Sequence, residues 1–207
     1  MAQYRKDEVQ AAIQKAALWL FAHRGYQEAT LADIAAGAGV STGNVYRYYS
    51  GKEALYEALV PPALVERFTG LLHSRMDALK GVADATALDH GAPFHVFAEE
   101  LLEFCIANRL AVVTLLAGSK GTRNHGFAES LVVDLTERAI GHFRELRPGL
   151  RVTKSHRFTL AQVYGAFLAT NTRLLLEFDS PKALREAILR YSAYHLAGLK
   201  ALFEAVS

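Results

Sequence analysis

The sequence predicts an all-α protein, and three observations carry that prediction. Apolar residues recur three and four apart through nearly every long segment. Capping residues and prolines stand at the starts of these segments, and glycines near their ends. No stretch alternates apolar and polar residues as a half-buried strand would, and no internal repeat is found. With 207 residues, 51% hydrophobic and 21% charged, the composition is ordinary for a globular protein, and the length is enough for a sizeable core. About nine helices are expected, three of them over 1–51 and the rest over 52–207.

Each element has a local reason. Val9, Ile13, Ala16, Ala17, Leu20 and Phe21 form the apolar face of a first helix over 6–23, which Gly25 ends. Two short helices follow over 30–49. A fourth helix begins at Lys52 and meets Pro61-Pro62, where a kink or a break is expected because proline lacks an N–H and disfavours helix before it. Helical spacing resumes at Leu64, Phe68, Leu71 and Leu72, runs to about Leu79, and stops at Gly81. Residues 82–91 read as a polar loop. Pro93 suits the first position of a new helix, with Phe94, Phe97, Leu101 and Phe104 on its face. Asn108 or Arg109 marks a joint. Residues 110–117 are apolar nearly all round, which indicates burial. A loop over 118–126 precedes a helix over 127–147, ended by Pro148-Gly149. Thr153 or Ser155 starts a long helix to 178. Ser180-Pro181 is a cap with a first-turn proline, and the last helix runs to about Ala205.

The most informative stretch is 30–53, TLADIAAGAGVSTGNVYRYYSGKE. Thr30 and Asp33 have the spacing of a capping box, and Ser50 with Glu53 repeats it. Glycines at 37 and 39 stop the first short helix, and Ser41 caps the second. Helix, glycine-bearing turn, helix is the plan of a helix-turn-helix DNA reader. On a wheel, Val45 and Tyr49 face the protein, while Gly43, Asn44 and Arg47 face away, flanked by Thr42, Tyr46 and Tyr48. Arginine can fork onto guanine and asparagine can pair with adenine. Hydroxyls reach phosphates, and glycine lets backbone come close. Lys52, in the first turn of the next helix, suits one phosphate.

The run Ile34-Ala35, Ala38-Gly39-Val40-Ser41-x-Gly43-x-x-Tyr46-x-Tyr48-Tyr49, Lys52-Glu53-Ala54-Leu55 resembles the tetracycline-repressor (TetR) family of one-component bacterial regulators. The resemblance covers residues 9–59. It implies a helix-turn-helix DNA-binding domain over 1–51 and a helical ligand-binding and dimerisation domain over 52–207. It also implies that Thr30, Thr42, Gly43, Asn44, Tyr46, Arg47, Tyr48 and Lys52 meet DNA, with Thr42, Asn44 and Arg47 selecting the operator.

Charge gives weak support. The net charge is +2 and the pI about 8.6, but basic and acidic residues cancel up to Val60. The DNA argument rests on placement: 38–52 holds Arg47 and Lys52 and no acid. The single cysteine, Cys105, excludes an internal disulfide and suits a reducing cytoplasm. The first ten residues lack the apolar core of a signal peptide, and no apolar run is long enough to span a bilayer, so no membrane partner is expected.

Rival motifs are weaker. Gly39-Val40-Ser41-Thr42-Gly43 spells G-x-S-x-G, but a nucleophile elbow needs a strand before it, and here a capped helix precedes. Gly37, Gly39 and Gly43 miss the dinucleotide spacing by one residue, and Gly51-Lys52-Glu53 lacks the hydroxyl of a phosphate loop. His95, Glu99 and Glu103, four apart with Glu100 beside them, read as a solvated edge before a metal site. No Glu-x-x-His occurs, which argues against a di-iron bundle. Arg138, Arg144, Arg147, Arg151, Lys154 and Arg157 read as a solvated basic stretch before an anion site. No catalytic residue, metal or cofactor is expected.

Phe97, Leu101, Phe104, Tyr164, Phe167 and Asn171 are the candidate ligand pocket. No charge clearly belongs to this set, so a neutral or weakly polar ligand is expected. Ala161, Gly165 and Ala169 on one helix, with Tyr191, Tyr194, Ala187 and Gly198 on the next, suit either a four-helix dimer interface or internal packing, and the resemblance favours the dimer. The reading is a cytoplasmic homodimeric regulator, a repressor released from a palindromic operator by a small molecule. The alternative is an all-helical binding protein or enzyme with an incidental helix-turn-helix corner.

Overall fold

The computed structural model describes residues 2–89 and 91–204; the expected end of the last helix at Ala205 lies outside them. Among the described residues there are ten α-helices, one 3-10 turn and no strand. The helices are α1 (Ala2–Arg24), α2 (Leu31–Gly37), α3 (Thr42–Tyr48), α4 (Lys52–Leu59), α5 (Pro62–Asp77), α6 (Pro93–Ala107), α7 (Arg109–Leu116), α8 (Phe127–Leu146), α9 (Lys154–Glu177) and α10 (Pro181–Glu204). The all-α prediction holds. The count rises from about nine to ten because the chain breaks at Pro61, with Pro62 starting α5, where a kinked single helix was the other expectation.

Contacts group the chain into two units, 1–65 with 109–127 and 66–108 with 128–207. In the first, α1 packs on α2, α4 and α7. Ile13, Ala17, Phe21, Ile34, Val45 and Leu55 are fully buried and form its core. Residues 111–115 of α7 are all buried, as their all-round apolar character requires. The loop after α7 is fastened to the end of α1. The Tyr26 N–H donates to the Gly118 carbonyl (2.9 Å), and a Cβ at 118 would lie 2.4 Å from the Phe21 carbonyl oxygen. Only glycine fits there.

The caps are mostly those expected. Thr30 and Asp33 form the full capping box of α2. Its C-terminal end is closed by Val40 N–H to Ala35 O (3.0 Å) and Gly39 N–H to Ala36 O (3.1 Å), with φ +67° at Gly39, a Schellman arrangement. The positive φ falls on Gly39 and not on Gly37. The Ser50–Glu53 box does not form: α4 starts one residue later than that spacing needs, on an extended Gly51 with no side-chain cap. Thr153, not Ser155, caps α9, and His156 completes its capping box.

In the second unit α10 packs on α6 and α9. Phe68, Leu71, Leu72, Leu135, Ile140, Leu160, Leu175 and Leu184 are buried in it. The acidic edge of α6 is an ion-pair edge: Glu99 and Glu103 both hold Arg185, and Glu100 holds Arg67 at 3.0 Å. No group of three or more metal-ligating side chains occurs among the described residues. In the basic stretch, Arg138 pairs with Asp134 (3.2 Å) and Asp77 (3.4 Å), and Arg157 pairs with Glu137.

Gly118→Ala is expected to lose about 1–3 kcal/mol or more of stability by overpacking. Urea titration of parent and variant checks it, and equal midpoints would mean the loop is not seated on α1 as described.

Candidate functional site

α3 is seven residues long, too short to hold itself as a helix, so its frame decides where it points. Its frame is built from four contacts. Ser41 Oγ accepts from the Asn44 N–H (3.3 Å) and caps it. Val45 is fully buried. Tyr49, the C-cap residue, is buried and extended, and its hydroxyl oxygen accepts from Gln14 Nε2 (2.8 Å) and Gln10 Nε2 (3.3 Å) of α1. The inner half of the segment is therefore anchored as the wheel predicted.

The outer half is open. Gly43, Tyr46 and Arg47 are exposed, Tyr46 by 57%, while Thr42, Asn44 and Tyr48 are half-buried. A Cβ on Gly43 would meet nothing closer than Ser41 Oγ at 3.8 Å, an ordinary contact, and its φ is not positive. The fold itself thus has no need of glycine at 43. Thr30 is exposed, but its hydroxyl is engaged: it donates to Asp33 Oδ2 (2.7 Å) and accepts from the Asp33 N–H (3.1 Å). These bonds hold the Asp33 carboxyl below its ordinary range.

Lys52 is placed differently from its expected role as a phosphate contact. Its ammonium donates to the carbonyls of Tyr26 (2.8 Å), Ala29 (2.9 Å) and Gln27 (3.3 Å), and it lies 4.4 Å from the centre of the Tyr26 ring. Three donors meet three acceptors, so the side chain fastens α4 to the loop between α1 and α2. Burial lowers its pKa. Any anion contact here falls to the free N–H groups of the first turn of α4. Tyr26 also packs edge-on to Tyr56 (5.4 Å) and tilted on Phe21 (5.4 Å). The Tyr56 hydroxyl oxygen accepts from Asn124 Nδ2 (2.9 Å), and Arg123 donates to Val60 O (3.0 Å). The loop after α7 therefore supports α4, a role that nothing in its local sequence announced.

Two chambers are lined by described residues of the second unit. One of about 300 Å³ lies against α5, the 82–86 loop, α8 and α10, and a smaller one of about 60 Å³ shares Met76, Leu79, Tyr164, Leu196 and Leu199 with it. Of the six candidate pocket residues, Tyr164 lines both and Phe167 the smaller. Phe97, Leu101, Phe104 and Asn171 line neither. Phe104 stacks on Phe68 (6.4 Å), Leu101 is core, and the Asn171 amide donates to the Phe167 carbonyl of its own helix (2.8 Å). Sequence reasoning missed Arg75 and His195. The signal for Arg75 was its place in the stripe Phe68, Leu71, Leu72, Arg75, Leu79, a cation at an apolar position.

Lys52→Met is expected to lower stability by about 1–3 kcal/mol, the scale of hydrogen bonds to a charged group. Thermal or urea unfolding measures it, and an unchanged midpoint would contradict the fastening. His195, 8% exposed and stacked on Phe167 (4.1 Å), is pushed down to about 4, first by burial and then by Arg75. An unfolded histidine titrates near 6.5, so between those values the unfolded state binds more protons and stability falls as pH drops. The loss is complete below about pH 4 and amounts to about 3 kcal/mol at most. Unfolding midpoints from pH 7.5 to 4 should fall less steeply in His195→Phe than in the parent.

Comparison with known proteins agrees with this geometry. Residues 13–59 match the family described as bacterial regulatory proteins, tetR family. The HTH-type transcriptional repressor Rv3405c of Mycobacterium tuberculosis (strain ATCC 25618 / H37Rv) is 41% identical over 73 residues, 35% of this chain and 38% of the relative. The uncharacterized HTH-type transcriptional regulator YfiR of Bacillus subtilis (strain 168) is 34% identical over 61 residues, 30% of each chain. The matches thus span well under half the length of these curated relatives. A TetR-family transcriptional regulator from Bordetella parapertussis 12822 has the same fold at a TM-score of 0.53, with 19% identity over 88% of this chain and 92% of that one. Residues 13–59 are thus a helix-turn-helix segment of the tetR-family type, and the chain shares its fold with a TetR-family regulator.

Proposed function

We propose that this protein is a DNA-binding transcriptional regulator, a repressor whose α3 enters the major groove. The observation that carries the reading is the split of α3 and its cap into a buried half, Val45 and Tyr49, and an outward half in which Gly43, Tyr46 and Arg47 are exposed. Arg47 and Asn44 read base edges, and Thr42, Tyr46 and Tyr48 reach phosphate and sugar. Gly43 allows close approach of the backbone. Thr30 and Lys52 contribute through the first turns of α2 and α4, where main-chain N–H groups are free. Residues 1–51 do the reading, and 52–207 carry ligand response and dimerisation.

The dimer forms through α9 and α10. Within one protomer these helices pack on each other, with Phe167 stacked on His195 and Tyr191. They leave Phe158 and Tyr194 exposed by 66% and 72%, and Ala169 and Gly198, on the same sides of their helices, also lie outward. A symmetric partner would cover that face and place two copies of α3 on a near-palindromic operator, in the cytoplasm, with no enzymatic step. A ligand in the second unit relieves repression by preferring a state that does not bind the operator.

The test is a salt-dependent gel shift on operators selected from a random pool. Arg47→Ala should bind with relaxed base preference, losing about 1–3 kcal/mol on the best site. Gly43→Ala should melt at or above the parent temperature yet bind more weakly. Lys52→Met should keep the parent's salt slope, whereas an ammonium on a phosphate would take about 0.9 from it. Unchanged affinity and base preference in both Arg47→Ala and Gly43→Ala would refute this use of α3.

A further inference from the structure

Among the described residues the guanidinium of Arg75 has no counterion. Its Nε is sealed from solvent and has no hydrogen-bond partner, and no carboxylate pairs with the group among the described residues. Its one close neighbour of note is the face of Phe94, 4.8 Å away. Other arginines of the same unit are matched: Arg67, Arg138, Arg157, Arg185 and Arg190 each hold an acid. Burial pulls Arg75 down only to about 10, so it is a cation at neutral pH.

The groups that share its chamber cannot neutralise it. Tyr164 is pushed well above its ordinary range by burial, and His195 is held down to about 4, so both are uncharged. The rest of that lining is aliphatic or aromatic. Acids do line the wider chamber, but Asp77 is taken by Lys80 and Arg138, Asp84 by Lys200 (2.6 Å), and Glu145 is exposed. A half-buried, unpaired charge with a sealed Nε beside an apolar space is unfavourable until an anion joins it. The guanidinium fork matches a carboxylate in shape as well as in charge.

We infer that this unit takes a monocarboxylate with a short apolar body, its carboxylate on Arg75 and its apolar part in the chamber bounded by Leu79, Tyr164, Leu196 and Leu199. Arg75 itself lines the 60 Å³ chamber, and the 300 Å³ space that shares Leu79, Tyr164, Leu196 and Leu199 with it has room, at the ~30 Å³ a water molecule occupies in the liquid, for an apolar body up to the size of that of octanoate. The assignment rests on and narrows the ligand-responsive reading given above, and it departs from the expectation of a neutral ligand, which followed from a pocket set without Arg75.

The test is calorimetric titration of the full chain, without DNA, with octanoate, octan-1-ol and octylamine at pH 7.5. Octanoate should bind once per protomer, about tenfold or more tighter than octanol, with octylamine weakest. Arg75→Met should lose that preference and keep octanol binding, while Arg75→Lys should retain part of it. Equal affinity for octanoate and octanol in the parent, or no saturable octanoate site, would overturn the inference even if the variants failed to fold. Unchanged octanoate binding in a folded Arg75→Met would overturn it too. Because DNA is absent, failure here leaves the operator assay independent, and failure there leaves this result standing.

Discussion

The hold of three main-chain carbonyls on Lys52 is the constraint from which the placement of the reading helix follows. A seven-residue helix has almost no stability of its own. It points outward only because α1, α2 and α4 fix both of its ends. Lys52 ties the start of α4 to the 26–29 loop, and the Tyr26, Tyr56 and Phe21 rings fill the space behind that tie. Tyr49 ties the other end of the segment to Gln10 and Gln14 of α1. With both ties made, Val45 must be inside and Arg47 outside, since two residues along a helix is more than half a turn. The functional face is a consequence of the frame.

How much of this was legible in sequence depended on how local each cause is. The boxes at Thr30 and Thr153, the proline starts at Pro62, Pro93 and Pro181, and the stop at Gly39 involve atoms within a few residues, and all were readable or nearly so. The Ser50 box failed for the same reason in reverse. Its spacing was right, but where α4 begins is set by Lys52, and that is a contact across more than twenty residues. The inner and outer faces of α3 were legible because periodicity survives any frame. The grouping of 109–127 with 1–65 was not, since Gly118, Arg123 and Asn124 bond to residues sixty and more positions away.

The pocket shows a different kind of failure. Aromatic spacing selected residues that fill the core, and Asn171, the one amide among them, is satisfied by its own helix. The informative position was the one that broke the pattern. An arginine at an apolar position of α5 contradicts its stripe, and such contradictions between local pattern and burial concentrate where function imposes them. Searching for residues that suit a pocket returned core; searching for residues that do not suit a core would have returned Arg75.

That difference bears on how occupancy and DNA binding are linked. An anion at Arg75 changes operator affinity only in so far as it binds the operator-competent and incompetent states unequally. Tightness alone moves nothing. Reciprocity then applies: whatever factor the anion takes from operator affinity, the operator takes from anion affinity. A half-buried, unpaired cation is a suitable place for such a difference to arise. The benefit of pairing it depends steeply on how well water is excluded, so a small opening of the chamber changes anion affinity far more than it changes the affinity of an equally sized neutral molecule. A neutral ligand of the same volume gains less from the exclusion of water, so under the proposed reading the charge at Arg75 is what would couple occupancy of this unit to operator binding.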